Sequence, residues 1–179
     1  MTNSPTAASA APIPADDPAR HAVHVRADDE QVQHLSIVGD TYTILLTGED
    51  TAGAYTLIDM LIPTGGGPPP HRHDFEEMFT VLEGEIEVTF RGQTSVACAG
   101  DTINVPANAP HGFTNSAEQP ARLLCMCTPP GQEEFFALVG APVATRTSPP
   151  PEVSDDEAAE RMATAVALSP QYRTELLLP

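Results

Sequence analysis

From residue 34 onward, apolar and polar positions alternate in short runs, and glycine, proline, asparagine or aspartate closes most of them. A two-residue period bounded by turn formers is the signature of half-buried strands. The pattern predicts strands near 34–38, 41–47, 54–62, 77–82, 85–91, 93–97, 102–105, 110–115 and 121–127. Residues 1–20, rich in Ala, Pro, Ser and Asp, read as a flexible N-terminal arm, because such a composition buries too little apolar surface to order itself. Beyond the strands the period changes. Gly131 to Val139 reads as a short helix that offers Phe135, Phe136 and Val139 for packing. A Pro-rich link, Thr147 to Glu152, leads to Ser154-Asp155-Asp156-Glu157, an N-cap followed by acids in the first turn. The helix that follows runs to about Leu168 and carries a modest stripe of Ala158, Met162, Ala165 and Val166, suited to a surface helix or a dimer contact. The division expected is an arm at 1–20, an all-β barrel domain at 21–140, and a link with C-terminal helix and tail at 141–179.

Composition narrows the partners. The 179 residues suit one domain with flanking arms. Aromatics are 5% of the chain and tryptophan is absent, so aliphatic side chains must fill the core. Acids outnumber bases 25 to 8, every base is arginine, and the net charge of −17 excludes nucleic acid and anionic membrane as partners. No stretch approaches the roughly 18 apolar residues of a membrane span, and the N-terminus lacks the basic start and apolar run of a secretory signal, which points to the cytoplasm. Cys98, Cys125 and Cys127 form no paired framework. Cys125 and Cys127 share one strand face; core packing is the default reading and a soft-metal pair the alternative.

The chemistry lies in His71-x-His73-x3-Glu77, with His111 thirty-four residues after Glu77. In a strand, residues two apart point to one side, roughly 6 to 7 Å apart, so His71 and His73 can share an ion. Parity puts Glu77 with Phe79 and Val81 on one face and His111 with Phe113 and Asn115 on another, so a strand from across a barrel completes a site of three imidazoles and one carboxylate. A lone histidine in a strand is usually a surface or hydrogen-bonded core residue, and His21, His24 and His34 are read as solvent-facing; four ligand types in ordered spacing are a stronger signal. Gly65-Gly66-Gly67-Pro68-Pro69-Pro70 permits a sharp turn and then a stiff extended approach, which would deliver His71 and His73 preset. Such a donor set accepts one divalent transition ion, Fe, Mn, Ni, Co, Cu or Zn. Glu77 is in addition the candidate general base. The inward parity of Phe79, Val81, Ile86, Val88, Phe90 and Phe113 predicts an apolar chamber, favouring a flat, hydroxylated organic substrate.

Gly65, His71, His73, Glu77 and Gly84 match in full the first motif of the cupin superfamily, G-x5-H-x-H-x3-E-x6-G. Gly100, Pro106, His111 and Asn115 match the second, G-x5-P-x-G-x2-H-x3-N, with Asn108 where the pattern has glycine. Asn tolerates the left-handed conformation better than other non-glycine residues, so the departure is mild. The chain thus resembles single-domain cupins, and its tail, Tyr172 to Pro179, is similar to those of quercetinase-like members. The resemblance implies a jelly-roll β-barrel, a homodimer, and a metal-dependent dioxygenase acting on a hydroxylated aromatic or enolisable small molecule with dioxygen as co-substrate. Alternatives are a non-oxidative isomerase, cyclase or lyase using the same ion and base, and a non-catalytic metal-stabilised binding module.

Overall fold

A computed structural model describes residues 12–178 of the chain. Residues 1–11, most of the expected arm, lie outside the described residues; residues 12–32 carry only turns and are mostly exposed. The strands are β1 (Gln33–Ile37), β2 (Asp40–Leu46), β3 (Thr56–Ile62), β4 (His71–His73), β5 (Glu76–Glu83), β6 (Glu85–Phe90), β7 (Gln93–Cys98), β8 (Thr102–Val105), β9 (His111–Thr114), β10 (Ala121–Thr128), β11 (Ala141–Pro142) and β12 (Thr174–Leu176). Two helices, α1 (Gln132–Val139) and α2 (Asp155–Leu168), follow the main run of strands.

The strands form two antiparallel sheets, a seven-stranded one in the order β11-β1-β2-β3-β10-β5-β8 and a five-stranded one in the order β12-β4-β9-β6-β7. This is the two-sheet jelly roll, in which inner-face side chains of both sheets make the core. Strict alternation of buried and part-buried residues along β10 follows from that placement: Ala121, Leu123, Cys125 and Cys127 point inward against Ile58, Met60, Phe79 and Val81 of β3 and β5. The core is largely aliphatic, as the scarcity of aromatics requires.

Two short strands have no signal in the local pattern. β11 pairs with β1, and β12, in the C-terminal tail, pairs with β4. β11 also explains a correction: His34 is buried rather than solvent-facing, because β1 lies between β11 and β2, and its Nδ1 is 2.9 Å from Thr43 Oγ1. His21 and His24 are exposed. α2 begins where the sequence places it, in a full capping box in which Ser154 Oγ accepts from the Glu157 N–H and the Glu157 carboxylate accepts from the Ser154 N–H. Among the described residues no helix is long and apolar enough to cross a membrane.

Candidate metal centre

The loop from Gly65 to Pro70 threads between two walls. A Cβ on Gly67 would collide with the Phe113 carbonyl, and one on Gly66 with the Asp40 carboxylate, so only glycine lets this loop lie against β9 and β2. Asp40 is fully buried and its Oδ1 accepts from the Gly67 N–H at 3.2 Å. Its pKa is pushed up to about 7 by burial, against the opposing hydrogen bonds from Gly67 and Tyr42. The loop is stitched further to the end of β9: Gly65 N–H donates to Asn115 O at 2.7 Å, and Asn115 N–H to Gly66 O at 2.9 Å. The Asn115 side chain spends its amide on Ile62 O and Gln119 O, so it braces the loops instead of facing the cluster. Asn108 has a φ of 68° and its N–H donates to His73 O at 2.6 Å. The asparagine in the glycine position therefore adopts the left-handed conformation and links the two motif segments.

These braces bring His71, His73, Glu77 and His111 together, with one donor atom from each within 4.8 Å of every other. All four are buried. His71 and His111 are register partners on β4 and β9, while Glu77 comes from β5 in the other sheet. Each imidazole is held alike: Nδ1 lies 2.9 Å from a backbone carbonyl, Pro69 O for His71, Phe75 O for His73 and Ala109 O for His111. A carbonyl only accepts, so Nδ1 carries the proton and Nε2 is left free to coordinate, the usual orientation of a metal-binding histidine. Phe75 stacks on His73 with ring centroids 3.8 Å apart and fixes that ring's plane.

The electrostatics favour a cation. Nε2 of His73 and Nε2 of His111 each lie 3.0 Å from Glu77 Oε2. With Nδ1 protonated, an Nε2 lone pair facing a carboxylate oxygen is repulsive unless a proton or a metal ion lies between them. Burial alone would raise the Glu77 pKa, yet the His111 and His73 rings beside its Oε2 hold it well below the usual carboxylate range. Burial likewise pulls His111 down, but the hydrogen bond and charge of Glu77 outweigh it and its pKa is raised. His71 falls to about 4, through burial first and the neighbouring His111 second, so near neutral pH it is an uncharged ligand. The donor set fits a divalent transition ion, leaving a net charge of about +1 to attract an anionic oxygen.

The other oxygen of Glu77 has company the sequence pattern did not assign. Cys125 Sγ lies 3.4 Å and Cys127 Sγ 3.8 Å from Oε1, and the sulfurs are 3.8 Å apart. The bond to Cys127 and then burial raise the Cys125 thiol, and burial with the nearby Glu77 charge raises that of Cys127 against the lowering effect of its bond to Cys125, so they face the carboxylate as neutral S–H groups and weak donors. Glu77 is thus gripped on both oxygens.

A cavity of about 420 Å³ opens on His71 and Glu77. Of the six apolar residues whose parity faces inward, Phe79 and Phe113 line it. Val81, Ile86 and Val88 are buried in the closed part of the core, and Phe90 is half-buried against it. Strand parity decides which face a side chain takes; whether open space or another side chain stands opposite depends on the facing sheet. The wall also includes Tyr42 and Met60, Phe135 and Phe136 of α1, and Ala158, Met162 and Ala165 of α2, with Ser36, Gln132, Arg161 and Thr174 as its polar members. The apolar stripe of α2 therefore roofs the cavity.

Residues 58–127 match the family model described as "Cupin domain". The chain is 27% identical over 128 residues to the quercetin 2,3-dioxygenase of Bacillus subtilis, a match that covers 71% of this chain but only 37% of that protein. Among solved structures, the polyketide cyclase RemF from Streptomyces resistomycificus superposes with a TM-score of 0.53 at 23% identity, over 76% of this chain and 89% of that one. An RmlC-like cupin from Shewanella frigidimarina gives 0.51 at 24% identity, over 59% and 90%. At these identities the structural likenesses speak for the fold alone.

Proposed function

Because the chain belongs to the cupin superfamily, with the cupin domain at residues 58–127, we propose that it is a metal-dependent oxygenase of the quercetinase-like kind, acting on a hydroxylated aromatic or enolisable small molecule. The observation that carries this reading is the orientation of His71, His73 and His111, whose Nδ1 atoms are committed to carbonyls and whose Nε2 atoms surround Glu77 at the edge of an apolar cavity. A divalent ion held by these four residues would supply the Lewis acidity that favours an ionised substrate oxygen, together with redox chemistry toward dioxygen if the ion is Fe, Mn, Ni, Co or Cu. Within the chain, Glu77 is the one carboxylate among the residues that line the cavity, and it is the acceptor for the proton released by a substrate hydroxyl. Phe79, Phe113, Met60 and Phe136 make walls that exclude water and suit a flat ring system.

Oxygen uptake by the metal-loaded protein, measured across flavonols, β-diketones and related enols, tests the reading. Uptake with at least one enol class is expected, and a fully metallated protein that consumes no oxygen across the panel overturns it. Turnover that continues without oxygen would instead assign the same site to isomerisation, cyclisation or cleavage, and metal-dependent ligand binding with no turnover at all would make it a binding module. The same reading takes the protein as a homodimer, which a monomeric mass in analytical ultracentrifugation would remove.

A further inference from the structure

Glu77 is the one donor of the cluster that comes from the larger sheet, and its two oxygens face different chemistry. Oε2 lies 3.0 Å from Nε2 of both His73 and His111. Oε1 turns the other way, toward β10, where Cys125 Sγ stands at 3.4 Å and Cys127 Sγ at 3.8 Å. The register explains why both sulfurs arrive there: Cys127 is paired with Glu77, and Cys125, two residues along the same face, with Phe79. Both cysteines are fully buried, and among the described residues no other group donates to Oε1. Alanine or valine would suit the apolar surroundings of these positions, but would leave a buried carboxylate oxygen without a donor, which is costly.

We propose that Cys125 and Cys127 are positioning residues for Glu77: their S–H groups hold Oε1 in the core, so that Glu77 meets an ion through Oε2 alone and a coordination position stays open on the cavity side. This rests on the four-residue metal centre and not on which reaction the ion carries out. A carboxylate can bind a cation through one oxygen or two, and an oxygen with no other partner turns to the ion, the strongest positive charge within reach. Two thiols prevent that turn without adding charge beside the ion, since an S–H group is a neutral, weak donor. Because His71 and Glu77 both line the cavity, the position kept open is within reach of a small molecule inside it.

Azide binding to the cobalt(II)-loaded full chain, followed through the visible spectrum of the ion, reads the open position, with the bound-metal ratio measured alongside. The native protein is expected to take up cobalt and to bind azide. Cys125→Ala combined with Cys127→Ala is expected to keep the cobalt but to bind azide at least roughly tenfold more weakly, a loss of the size that hydrogen bonds to a charged group support. Cys125→Ser combined with Cys127→Ser, which restores donors to Oε1, is expected to return azide affinity to within about threefold of the native value. A double alanine variant that binds azide as tightly as the native protein overturns the proposal. So does a double serine variant as weak as the alanine one, since packing and not hydrogen bonding would then be the cause, and so does a cobalt-loaded native protein that binds no azide. If the double alanine variant does not fold, Cys125→Ala against Cys125→Ser, at the shorter contact, decides in the same way. A native protein that takes up no cobalt would instead sink the metal centre itself and this inference with it.

Discussion

β4, β5 and β9 hold their four donor side chains almost dry, with every imidazole Nδ1 tied to a carbonyl, whereas α2 lies over the same cavity without burying one of its residues. The floor is built from strands in two sheets and braced by loops that only glycine can form at Gly66 and Gly67. The roof is a helix of modest apolar character that rests on α1 and the cavity itself. Local opening costs least where few apolar contacts are buried, so α2 is expected to open before the strands that carry the four donors. The donor cluster thus lies in the firmly packed region, and the start of α1 is fastened while the body of α2 is not.

The largest effect expected from breaking the floor is loss of the ion. Replacing His73 or His111 by Ala removes one of four donors and leaves Glu77 facing an empty position, and the bound-metal ratio read by elemental analysis should fall from near one per chain to a small fraction. A ratio that stays near one in both variants would place the ion elsewhere. Next in size is Glu77→Gln, which keeps shape but removes the proton acceptor; turnover should drop by roughly 10²-fold or more, with most of the metal retained. Lost metal with lost turnover would make Glu77 a ligand only.

Asp40 tests how firmly the ligand loop is seated. Its carboxyl titrates near pH 7 in the folded protein against an ordinary value of 3.8, so between those limits the folded state binds more protons and stability falls as pH rises through the window. Asp40→Asn retains an acceptor for Gly67 N–H and removes the ionisation. Denaturant midpoints should show the variant gaining on the native protein from pH 4 to pH 8, by up to about 4 kcal/mol. A difference independent of pH would mean that Asp40 is solvated in the folded state.

The smallest effect belongs to the roof. Ser154→Ala removes half of the capping box and should cost α2 about 1 kcal/mol. Hydrogen exchange should quicken in α2 alone, with the metal ratio unchanged. If the metal ratio falls as well, floor and roof are not independent, and the connection through β12, which pairs with the ligand strand β4, would be the reason.

Much of this contrast was legible in residue order. The strand periods lie within one or two residues of the observed strands, the Ser154 cap starts α2, and the parity of Glu77, Phe79 and Val81 correctly turns them inward. The two motifs name the four side chains that converge. Each of these is a local matter: a two-residue or 3.6-residue period, a cap three residues long, a turn that needs glycine. What residue order left open involves partners far away in the chain. β11 and β12 are too short to show a period and exist because β1 and β4 offer them an edge. His34 is buried because β1 is flanked on both sides. Val81, Ile86 and Val88 share the inward face with Phe79, but only the opposite sheet decides which of them meets space. The buried Gln132 Oε1 has no hydrogen-bond partner among the described residues, and nothing around it in the sequence marks this, since it depends on what fails to reach it. The chain alone thus determined the donor set, the strands that carry it and the helices that follow; the tertiary structure decided the cavity and its roof, because empty space and missing partners are properties of packing between distant segments.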